Sequence, residues 1–352
     1  MERNEWIGLG LMCGTSHDGL DMALTRFWKR EESWQFEVIA AQEVTIPADI
    51  KADLARATEL SALEYAKLDV RLGTFFGQEA DNFLNQYDEK CQFIASHGVT
   101  VFHQPDIGLT TQLGSGGIIN AITHIKTISD FRIQDVSKGG QGAPLVPTCD
   151  AYLFDSYDYT LNLGGFANVA VLNGTASLGY DISPCNKPLN YIAQTFFDVS
   201  YDKGGAIARK GKVIDSLLEQ MNALDYYNLP MPKSLGHEWY VEKFEPLLHI
   251  ENAPEDTMRT LVEHIAVQIG KSLEAGKTCL VTGGGALNEF LIDRLRENTH
   301  AEIILPSMET ILYKEAIDFA FLGLLRLLEA ENVLSSVTGA AASSCSGAIY
   351  GT

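Results

Sequence analysis

The chain has 352 residues, of which 46% are hydrophobic and 20% charged, and its formal net charge is −20. This length allows two domains with substantial cores, and the charge argues against a nucleic-acid or anionic-membrane partner. No window approaches the roughly 18 apolar residues of a membrane span. The N-terminus shows no signal-peptide pattern and the six cysteines form no CxxC pair, so we expect a cytoplasmic protein with reduced thiols.

The first predicted element is a β-hairpin with a glycine-rich tip. An apolar run from Ile7 to Met12 enters a Gly-Thr-Ser corner, and a second run extends from Leu20 to Phe27. Backbone N–H groups at this tip, beside the hydroxyls of the corner, can cradle phosphate oxygens. Asp18 or Asp21 would then face a Mg²⁺ ion. An exposed hairpin turn without a ligand is the structural alternative.

Strands and helices alternate through the rest of the chain, which predicts an α/β protein. The long helix is expected to begin with a capping box formed by Ser61 and Glu64, and the apolar end of the chain favours a docked C-terminus. The predicted elements are a strand at Phe36–Val44, a helix at Ser61–Tyr87, a strand at Cys91–Ser96, a polar connection at Asp130–Pro147, a strand at Leu161–Leu163, a helix at Thr257–Ala275, a strand at Cys279–Thr282, a helix carrying Leu287, Leu291 and Leu295, and a helix at Glu315–Glu329.

Two further glycine corners follow predicted strands. The strand Leu161–Leu163 ends at Gly164-Gly165, with Asn168 close behind, and this pattern fits a second phosphate-binding hairpin. Gly283–Gly285 lies between a strand and a helix, where a flat group such as adenine or ribose can approach the backbone. A strand-end turn and a helix–sheet packing junction are the structural alternatives. Three such corners in one chain favour a nucleotide ligand.

Each half of the chain opens with a strand that enters a glycine-rich corner, at Gly10–Ser16 and at Leu161–Asn168. This is the arrangement expected of two related α/β domains that present phosphate-binding hairpins across a cleft. We place the first domain at residues 1–157 and the second at 158–330. We expect residues 331–352 to pack back on the first domain.

Three polar positions are candidates for chemistry. Asp181 stands on a turn shortly after the second glycine corner and is placed to act as a general base; a turn or N-cap aspartate is the alternative. Arg132 and Asp135 suit an acidic or hydroxylated substrate, or they form a surface ion pair. His97 is either a substrate contact or an ordinary polar residue.

The chain resembles the anhydro-N-acetylmuramic acid kinase family from Gly8 to Tyr350. The resemblance rests on nine motifs in the family's order, namely GLMCGTSHDGLD, SHGVTVFHQP, DFRIQDVSKGGQGAPLVP, LNLGGFANV, YDKGG, PKSLGHEW, VTGGGALN, EAIDFAFLGL and VTGA. It implies an actin-like sugar-kinase fold, in which two ribonuclease-H-like domains are hinged over an ATP cleft. A homodimer is also implied.

The resemblance implies an enzyme that opens 1,6-anhydro-N-acetylmuramic acid with water and phosphorylates O6, using ATP and Mg²⁺. It makes Asp181 the catalytic base and places sugar contacts at His97, Arg132 and Glu315, beside the candidate Asp135. Asp18 is the candidate metal ligand. Nucleotide contacts are implied at Gly14, Thr15, Ser16, His17, Asp18, Gly19, Leu20, Asp21, Gly164, Gly165, Asn168, Gly283, Gly284, Gly285 and Asn288.

Two motifs depart from the family pattern. The loop after the base, usually close to DTGPGN, is DISPCN here, and the side chains of Ser183 and Cys185 are expected to fill space beside bare backbone. PKSTGRE becomes PKSLGHE, with Leu235 and His237 replacing a hydroxyl and a fixed cation. A conventional hexose kinase of the same superfold, and a non-catalytic ATP- or sugar-binding sensor, are therefore the alternative functions.

Overall fold

The computed structural model describes residues 5–14, 17, 19–31, 33–172, 178–248 and 253–352. Two compact units divide the chain, one made of Met1–Leu153 with Tyr313–Thr352 and the other of Phe154–Leu312. Of the predicted site residues, Thr15, Ser16 and Asp18 lie outside the described residues. Among the described helices, none is long and apolar enough to span a membrane.

Unit 1 is built on a six-stranded sheet. The central strand is paired antiparallel with the next strand of the chain on one side and parallel on the other, and the C-terminal strand pairs antiparallel at the edge. The apolar chain end is therefore docked, as predicted. In spatial order the strands are β3 (Ser33–Thr45), β2 (Gly19–Arg30), β1 (Glu5–Met12), β4 (Phe93–Ser96), β7 (Lys126–Ser129) and β13 (Ala348–Tyr350).

Among the described residues, a separate hairpin and seven α-helical segments complete unit 1. The hairpin, which the sequence did not predict, consists of β5 (Val99–Gln104) and β6 (Leu109–Leu113). The connection predicted at Asp130–Pro147 contains a short helix. The helices are α1 (Ala48–Ala55), α2 (Ala62–Leu84), α3 (Gly116–Thr123), α4 (Ile133–Ser137), α5 (Val146–Leu153), the later part of α11 (Met308–Leu327) and α12 (Ser335–Thr338).

Local sequence explains the longest of these helices. The Ser61 hydroxyl accepts a bond from the Glu64 backbone N–H, and the Glu64 carboxylate accepts one from the Ser61 N–H. This reciprocal bonding satisfies two orphan donors at the start of α2, as the capping box predicted. One face of α2 then buries Leu72 and Phe76 against the sheet.

Unit 2 repeats the sheet order of unit 1 with five strands. The strands in spatial order are β10 (Leu178–Pro184), β9 (Phe166–Val171), β8 (Tyr159–Leu163), β11 (Thr278–Thr282) and β12 (Glu302–Ile304). The helices are α6 (Asn186–Phe197), α7 (Asp215–Asn222), α8 (His237–Trp239), α9 (Pro254–Ser272), α10 (Glu289–Asn298) and the start of α11.

The two sheets share one topology, with three antiparallel strands followed by two strands parallel to the first. This confirms the predicted α/β class with two ribonuclease-H-like units. The chain returns to unit 1 at Tyr313, earlier than the predicted residue 331. Helix α11 is kinked at Tyr313, where the backbone leaves helical geometry (φ −114°, ψ 19°). Beyond this kink, α11 packs on β1 at Gly10, where an added Cβ would meet the Ala316 carbonyl.

Candidate functional site

The first glycine corner joins β1 to β2, as the sequence predicted. The two strands pair up to Met12 opposite Asp21, and the N–H of His17 bonds the Gly14 carbonyl at 3.1 Å. An added Cβ at Gly14 would have open space around it, so a ligand can approach the backbone there. Leu20 is fully buried in the core. Its side chain therefore cannot contact a nucleotide, and only its backbone remains available.

A group of three carboxylates surrounds the end of this hairpin. Asp21 is the strand partner of Glu43, and burial, followed by the negative charges of Glu43 and Glu315, raises the pKa of Asp21 from 3.8 to about 7. A cation would relieve this repulsion. Within the part of the chain that the structure describes, no cluster of three or more His, Cys, Asp or Glu is arranged to hold a metal.

His97 and Arg132 form a buried pair at the carboxyl end of β4. The guanidinium donates from Nε and Nη2 to His97 Nε2, at 3.2 and 2.8 Å, and from Nη1 to the Gly142 carbonyl at 2.7 Å. Burial, and then the charge of Arg132, lowers the pKa of His97 to about 3. The imidazole is therefore neutral at physiological pH, and since Nε2 accepts from Arg132, its proton is on Nδ1.

A cavity of about 280 Å³ brings this pair together with the first glycine corner. Its lining residues are Met12, Cys13, Gly14, His17, His97, Val99, Thr100, His103, Arg132 and Ala143. A space of this volume can hold one sugar ring. Glu315 also acts on this region, because its charge raises the pKa of Arg132 against the larger, opposite effect of burial.

Asp135 has a different environment from the one that the sequence predicted. Its side chain is fully buried, and both carboxylate oxygens are engaged inside unit 1. Oδ1 accepts a bond from the Thr338 hydroxyl at 2.7 Å and Oδ2 accepts one from the Gly142 N–H at 2.8 Å. Asp135 therefore joins the glycine-rich loop to the C-terminal segment and does not present a free oxygen to a substrate. The sequence motif could not indicate this, because Thr338 lies far along the chain.

The second and third glycine corners lie at neighbouring strand ends of unit 2. Gly164 and Gly165 form the turn of the β8–β9 hairpin, and an added Cβ at Gly165 would have open space around it. Gly283 follows β11 with φ +81°, and an added Cβ there would meet the Asn162 amide oxygen and lie 3.0 Å from the Leu163 backbone. Only glycine fits this position without strain.

Asn162 is a site residue that sequence reasoning missed. It is exposed although it lies on the central strand β8, and its neighbours across the sheet are Asn168 on β9 and Thr282 on β11. Asn168 in turn pairs with Asp181 on β10. A polar residue between two buried leucines in the motif LNLGG was the available signal. The register places these polar residues in one row beside the glycine corners.

Three of the predicted nucleotide contacts have structural partners in unit 2. The side chain of Asn288 is the N-cap of α10 and accepts a bond from the Leu291 N–H at 3.0 Å. The carbonyls of Gly164 and Gly165 accept bonds from the N–H groups at the start of α6. Gly284 is open on one side, since only the Asn186 amide approaches an added Cβ, at 3.9 Å.

Asp181 immediately precedes a bulge in the pairing of β10 with β9, and the loop that precedes α8 bonds its carboxylate. Its Oδ2 accepts a bond from the Leu235 N–H at 2.8 Å. Burial raises the pKa of Asp181, and the bond from Leu235 opposes this rise. A half-buried carboxylate with one oxygen committed to a backbone N–H has the chemistry of a positioned general base.

The altered DISPCN motif does not intrude on this carboxylate's surroundings. Ser183 and Cys185 are both fully buried, and Cys185 belongs to the hydrophobic core of unit 2. The expectation that these side chains fill space beside exposed backbone is therefore wrong, because both point into the interior. In the altered PKSLGHE motif, Leu235 uses only its backbone on Asp181, and His237 Nδ1 lies 2.6 Å from Lys187 Nζ.

The two units have the same order of strands in their sheets, and each has a glycine corner in its first hairpin. These two features together define the actin-like class of sugar kinases and ATPases. Within that class the chain belongs to the anhydro-N-acetylmuramic acid kinase family, whose family model matches residues 6–352. Membership makes the protein an ATP-using phosphotransferase.

Two relatives illustrate the similarity. The anhydro-N-acetylmuramic acid kinase of Vibrio vulnificus is 37% identical over 97% of both chains. That of Actinobacillus pleuropneumoniae is 34% identical over 97% of this chain and 98% of its own. Among solved structures, xylulose kinase from Lactobacillus acidophilus shows 10% identity and a TM-score of 0.45 over 98% of this chain and 93% of its own.

Proposed function

We propose that the protein is an anhydro-sugar kinase that converts 1,6-anhydro-N-acetylmuramic acid, water and ATP into N-acetylmuramic acid 6-phosphate and ADP, as a cytoplasmic step of cell-wall recycling. The observation that carries the proposal is the cavity that combines His97 and Arg132 with Gly14 and His17. It offers a sugar-sized space beside a glycine corner open to a phosphate. Family membership supplies the substrate class.

In the proposed reaction, Asp181 accepts a proton from water as the water oxygen attacks the anomeric carbon. The bond between the anomeric carbon and O6 breaks, and O6 attacks the γ-phosphorus as the bond to the ADP oxygen breaks. Leu235 holds Oδ2 of Asp181, so Oδ1 is the oxygen that accepts the proton. One correctly positioned general base is sufficient, because opening the strained 1,6-anhydro ring of the sugar supplies part of the driving force.

The unit 1 pair would bind the sugar. The Arg132 guanidinium suits the lactyl carboxylate of the substrate, and the neutral His97, whose Nε2 accepts from Arg132, orients that guanidinium without adding charge. The open backbone at Gly14, Gly165 and Gly284 would cradle the nucleotide. The bonds that orient Arg132, its place in the unit 1 cavity and the open space at Gly14 and Gly165 support these assignments.

Mg²⁺ is part of the proposal. The described residues contain no group of three or more His, Cys, Asp or Glu arranged to hold a metal, but Mg²⁺ is usually held by one or two carboxylates together with substrate phosphates. Asp21 and its neighbours Glu43 and Glu315 carry oxygen ligands of the kind that Mg²⁺ prefers, and their mutual repulsion raises the pKa of Asp21. Asp21, together with Asp18, would hold the ion with the nucleotide phosphates. Bound there, Mg²⁺ neutralises phosphate charge.

The test measures ADP release with Mg-ATP and 1,6-anhydro-N-acetylmuramic acid, beside N-acetylmuramic acid, N-acetylglucosamine and a no-sugar control. We expect ADP only with the anhydro sugar, and a product heavier by phosphate plus water. ADP with the open sugars would indicate a conventional hexose kinase. No ADP with any sugar, despite ATP binding, would indicate a sensor.

The base is tested by Asp181→Asn, which keeps the size of the side chain. We expect turnover to fall by about 10³-fold, the contribution of a general base, while ATP binding by calorimetry stays unchanged. Turnover within about tenfold of wild type would remove Asp181 from the mechanism.

A further inference from the structure

The loop from Tyr226 to Leu235, called here the 226–235 loop, bonds Asp181 at three points. The Tyr226 hydroxyl donates to the Asp181 carbonyl at 2.7 Å. The Asp181 N–H donates to the Lys233 carbonyl at 3.0 Å, and the Leu235 N–H donates to Oδ2 at 2.8 Å. Both the backbone and the carboxylate of Asp181 are therefore fixed by one loop.

Lys233 closes this loop on itself. Its ammonium donates to the carbonyls of Tyr226 and Tyr227, at 3.1 and 3.3 Å, and lies 4.7 Å from the centre of the Tyr226 ring. An ammonium over an aromatic face is attracted by the ring. The Tyr226 ring is thus held between Asp181 and Lys233, and the two ends of the loop are joined.

The base of the loop is attached to the core by a different tyrosine. The Tyr227 hydroxyl lies 2.8 Å from Nε2 of His264, a fully buried residue of α9. His264 Nδ1 lies 2.8 Å from the Asn222 amide oxygen, and burial lowers the pKa of His264 to about 3. This network carries no charge and does not touch Asp181.

We propose that Tyr226 and Lys233 are positioning residues that hold Asp181 so that Oδ2 stays on Leu235 and Oδ1 faces the substrate. The inference rests on the proposed role of Asp181. It gives the 226–235 loop a role in holding the general base. Lys233 then acts through Tyr226 and not through a phosphate, because its ammonium is committed to two loop carbonyls.

The direction of the expected pH effect follows from the contacts. Burial, the largest cause, raises the pKa of Asp181, and the bond from Leu235 opposes it. Opening the loop removes both effects, so the pKa should fall toward its ordinary value. The titratable groups that face Asp181 and Tyr226 among the described residues are Lys233 and Tyr227 on the loop and Tyr180 on the same strand as Asp181.

The experiment compares Tyr226→Phe with Tyr227→Phe, a matched control in which the lost hydroxyl bonds the core. Tyr226→Phe should lower kcat about tenfold, the scale on which a misplaced group loses rate, with KM values for both substrates changed less than about twofold. The acid limb of its pH–rate profile should move to lower pH. Tyr227→Phe should lower the melting temperature and leave the acid limb in place.

Lys233 is tested by Lys233→Met, with Lys233→Arg as the conservative variant. We expect the acid limb of Lys233→Met to move as in Tyr226→Phe, and Lys233→Arg, which can still donate to two carbonyls, to restore most of the rate. A raised KM for ATP with an unmoved acid limb would overturn the proposal in favour of a direct phosphate contact. Equal pH profiles for the two tyrosine variants would also overturn it.

A readout independent of turnover separates this inference from the proposed function. The carbon-13 carboxyl resonance of Asp181, assigned by its absence in Asp181→Asn, reports the pKa of Asp181 directly. A lower pKa of Asp181 in Tyr226→Phe than in Tyr227→Phe supports the positioning role of Tyr226, even if the anhydro sugar is not the substrate. An unchanged pKa of Asp181 in Tyr226→Phe overturns this positioning role, even if the protein is an active anhydro-sugar kinase.

Discussion

The carboxylates at the end of the first hairpin make stability depend on pH in a way that one substitution can remove. Asp21 faces Glu43 on the neighbouring strand and Glu315 on α11, and the pKa of Asp21 is raised from 3.8 to about 7. Asp21→Asn keeps the size and polarity of the side chain but cannot ionise. The variant therefore removes the like charge without opening a cavity.

The sign and size of the effect follow from proton linkage. Because the folded pKa is raised, the folded chain binds more protons than the unfolded chain between about pH 4 and 7, and stability falls as pH rises through this range. The full shift from 3.8 to about 7 corresponds to about 4 kcal/mol. Asp21 is only partly buried, so solvent screening reduces the expected effect to about 1–2 kcal/mol.

The assay is urea unfolding of wild type and variant at pH 4 and pH 8. Asp21→Asn should exceed wild type in free energy of unfolding by about 1–2 kcal/mol at pH 8 and by close to zero at pH 4. The control is Glu37→Gln, which removes the exposed ion pair between Glu37 on β3 and Arg26 on β2 of the same sheet. We expect less than about 1 kcal/mol from it at either pH.

Added Mg²⁺ tests the same group as a ligand. If Asp21 holds the ion, Mg²⁺ should stabilise wild type at pH 8 more than the variant. A ligand that binds the folded state and not the unfolded state raises the free energy of unfolding. A difference in unfolding free energy that is equal at both pH values would refute the charge argument. A Mg²⁺ effect identical in the two proteins would refute the ligand.

Three further predictions concern the glycine corner, the buried aspartate and the sugar pair. Gly283→Ala should lower the free energy of unfolding, measured in urea, by about 2–3 kcal/mol, because φ is +81° and Asn162 and Leu163 occupy the space that a Cβ would need. The control Gly284→Ala should lower it by less than about 1 kcal/mol. Equal losses in the two variants would contradict this prediction. Asp135→Asn should cost about 2–4 kcal/mol, because one of its two buried acceptors becomes a donor, and a loss under 1 kcal/mol would count against its structural role. Arg132→Lys should lower kcat/KM for the sugar about 10²-fold and leave the KM for ATP unchanged, because lysine cannot bond His97 through two nitrogens. An unchanged KM for the sugar would show that Arg132 does not bind the sugar.

Local patterns predicted the elements whose signals are contained in a few adjacent residues. The first hairpin and the Ser61 capping box form as expected, because turn chemistry and capping depend on neighbours in sequence. Two related α/β units were anticipated from two glycine corners at the ends of strands, and the structure adds that the two sheets share one strand order. The nucleotide and sugar assignments stay predictions, since they concern ligands.

What the sequence could not show depends on long-range contacts. Asp135 reads as a surface or substrate residue until Thr338 is brought against it. Ser183 and Cys185 look like intrusions at a bare loop until the bulge after Asp181 turns them into the core. In each case burial is decided by a partner far along the chain, which no local pattern contains.

The equivalent strand ends of the two units are built differently. His97-Gly98 follows β4 in unit 1 and Gly283-Gly284 follows β11 in unit 2, and these are equivalent strands of the two sheets. Gly98 and Gly283 both have positive φ, +75° and +81°, but Gly98 is the second residue after β4 and Gly283 is the first after β11. In unit 1, His97 bonds Arg132 and Gly98 leads directly into the β5–β6 hairpin. In unit 2 the glycines lead through a short 3₁₀ turn to a helix, and of the three glycines only Gly284 has an open side. We therefore predict sugar contacts at this strand end in unit 1 and nucleotide contacts at Gly284 in unit 2. Replacing Gly284 by a bulky residue such as leucine should weaken ATP binding in calorimetry, while sugar binding stays unchanged.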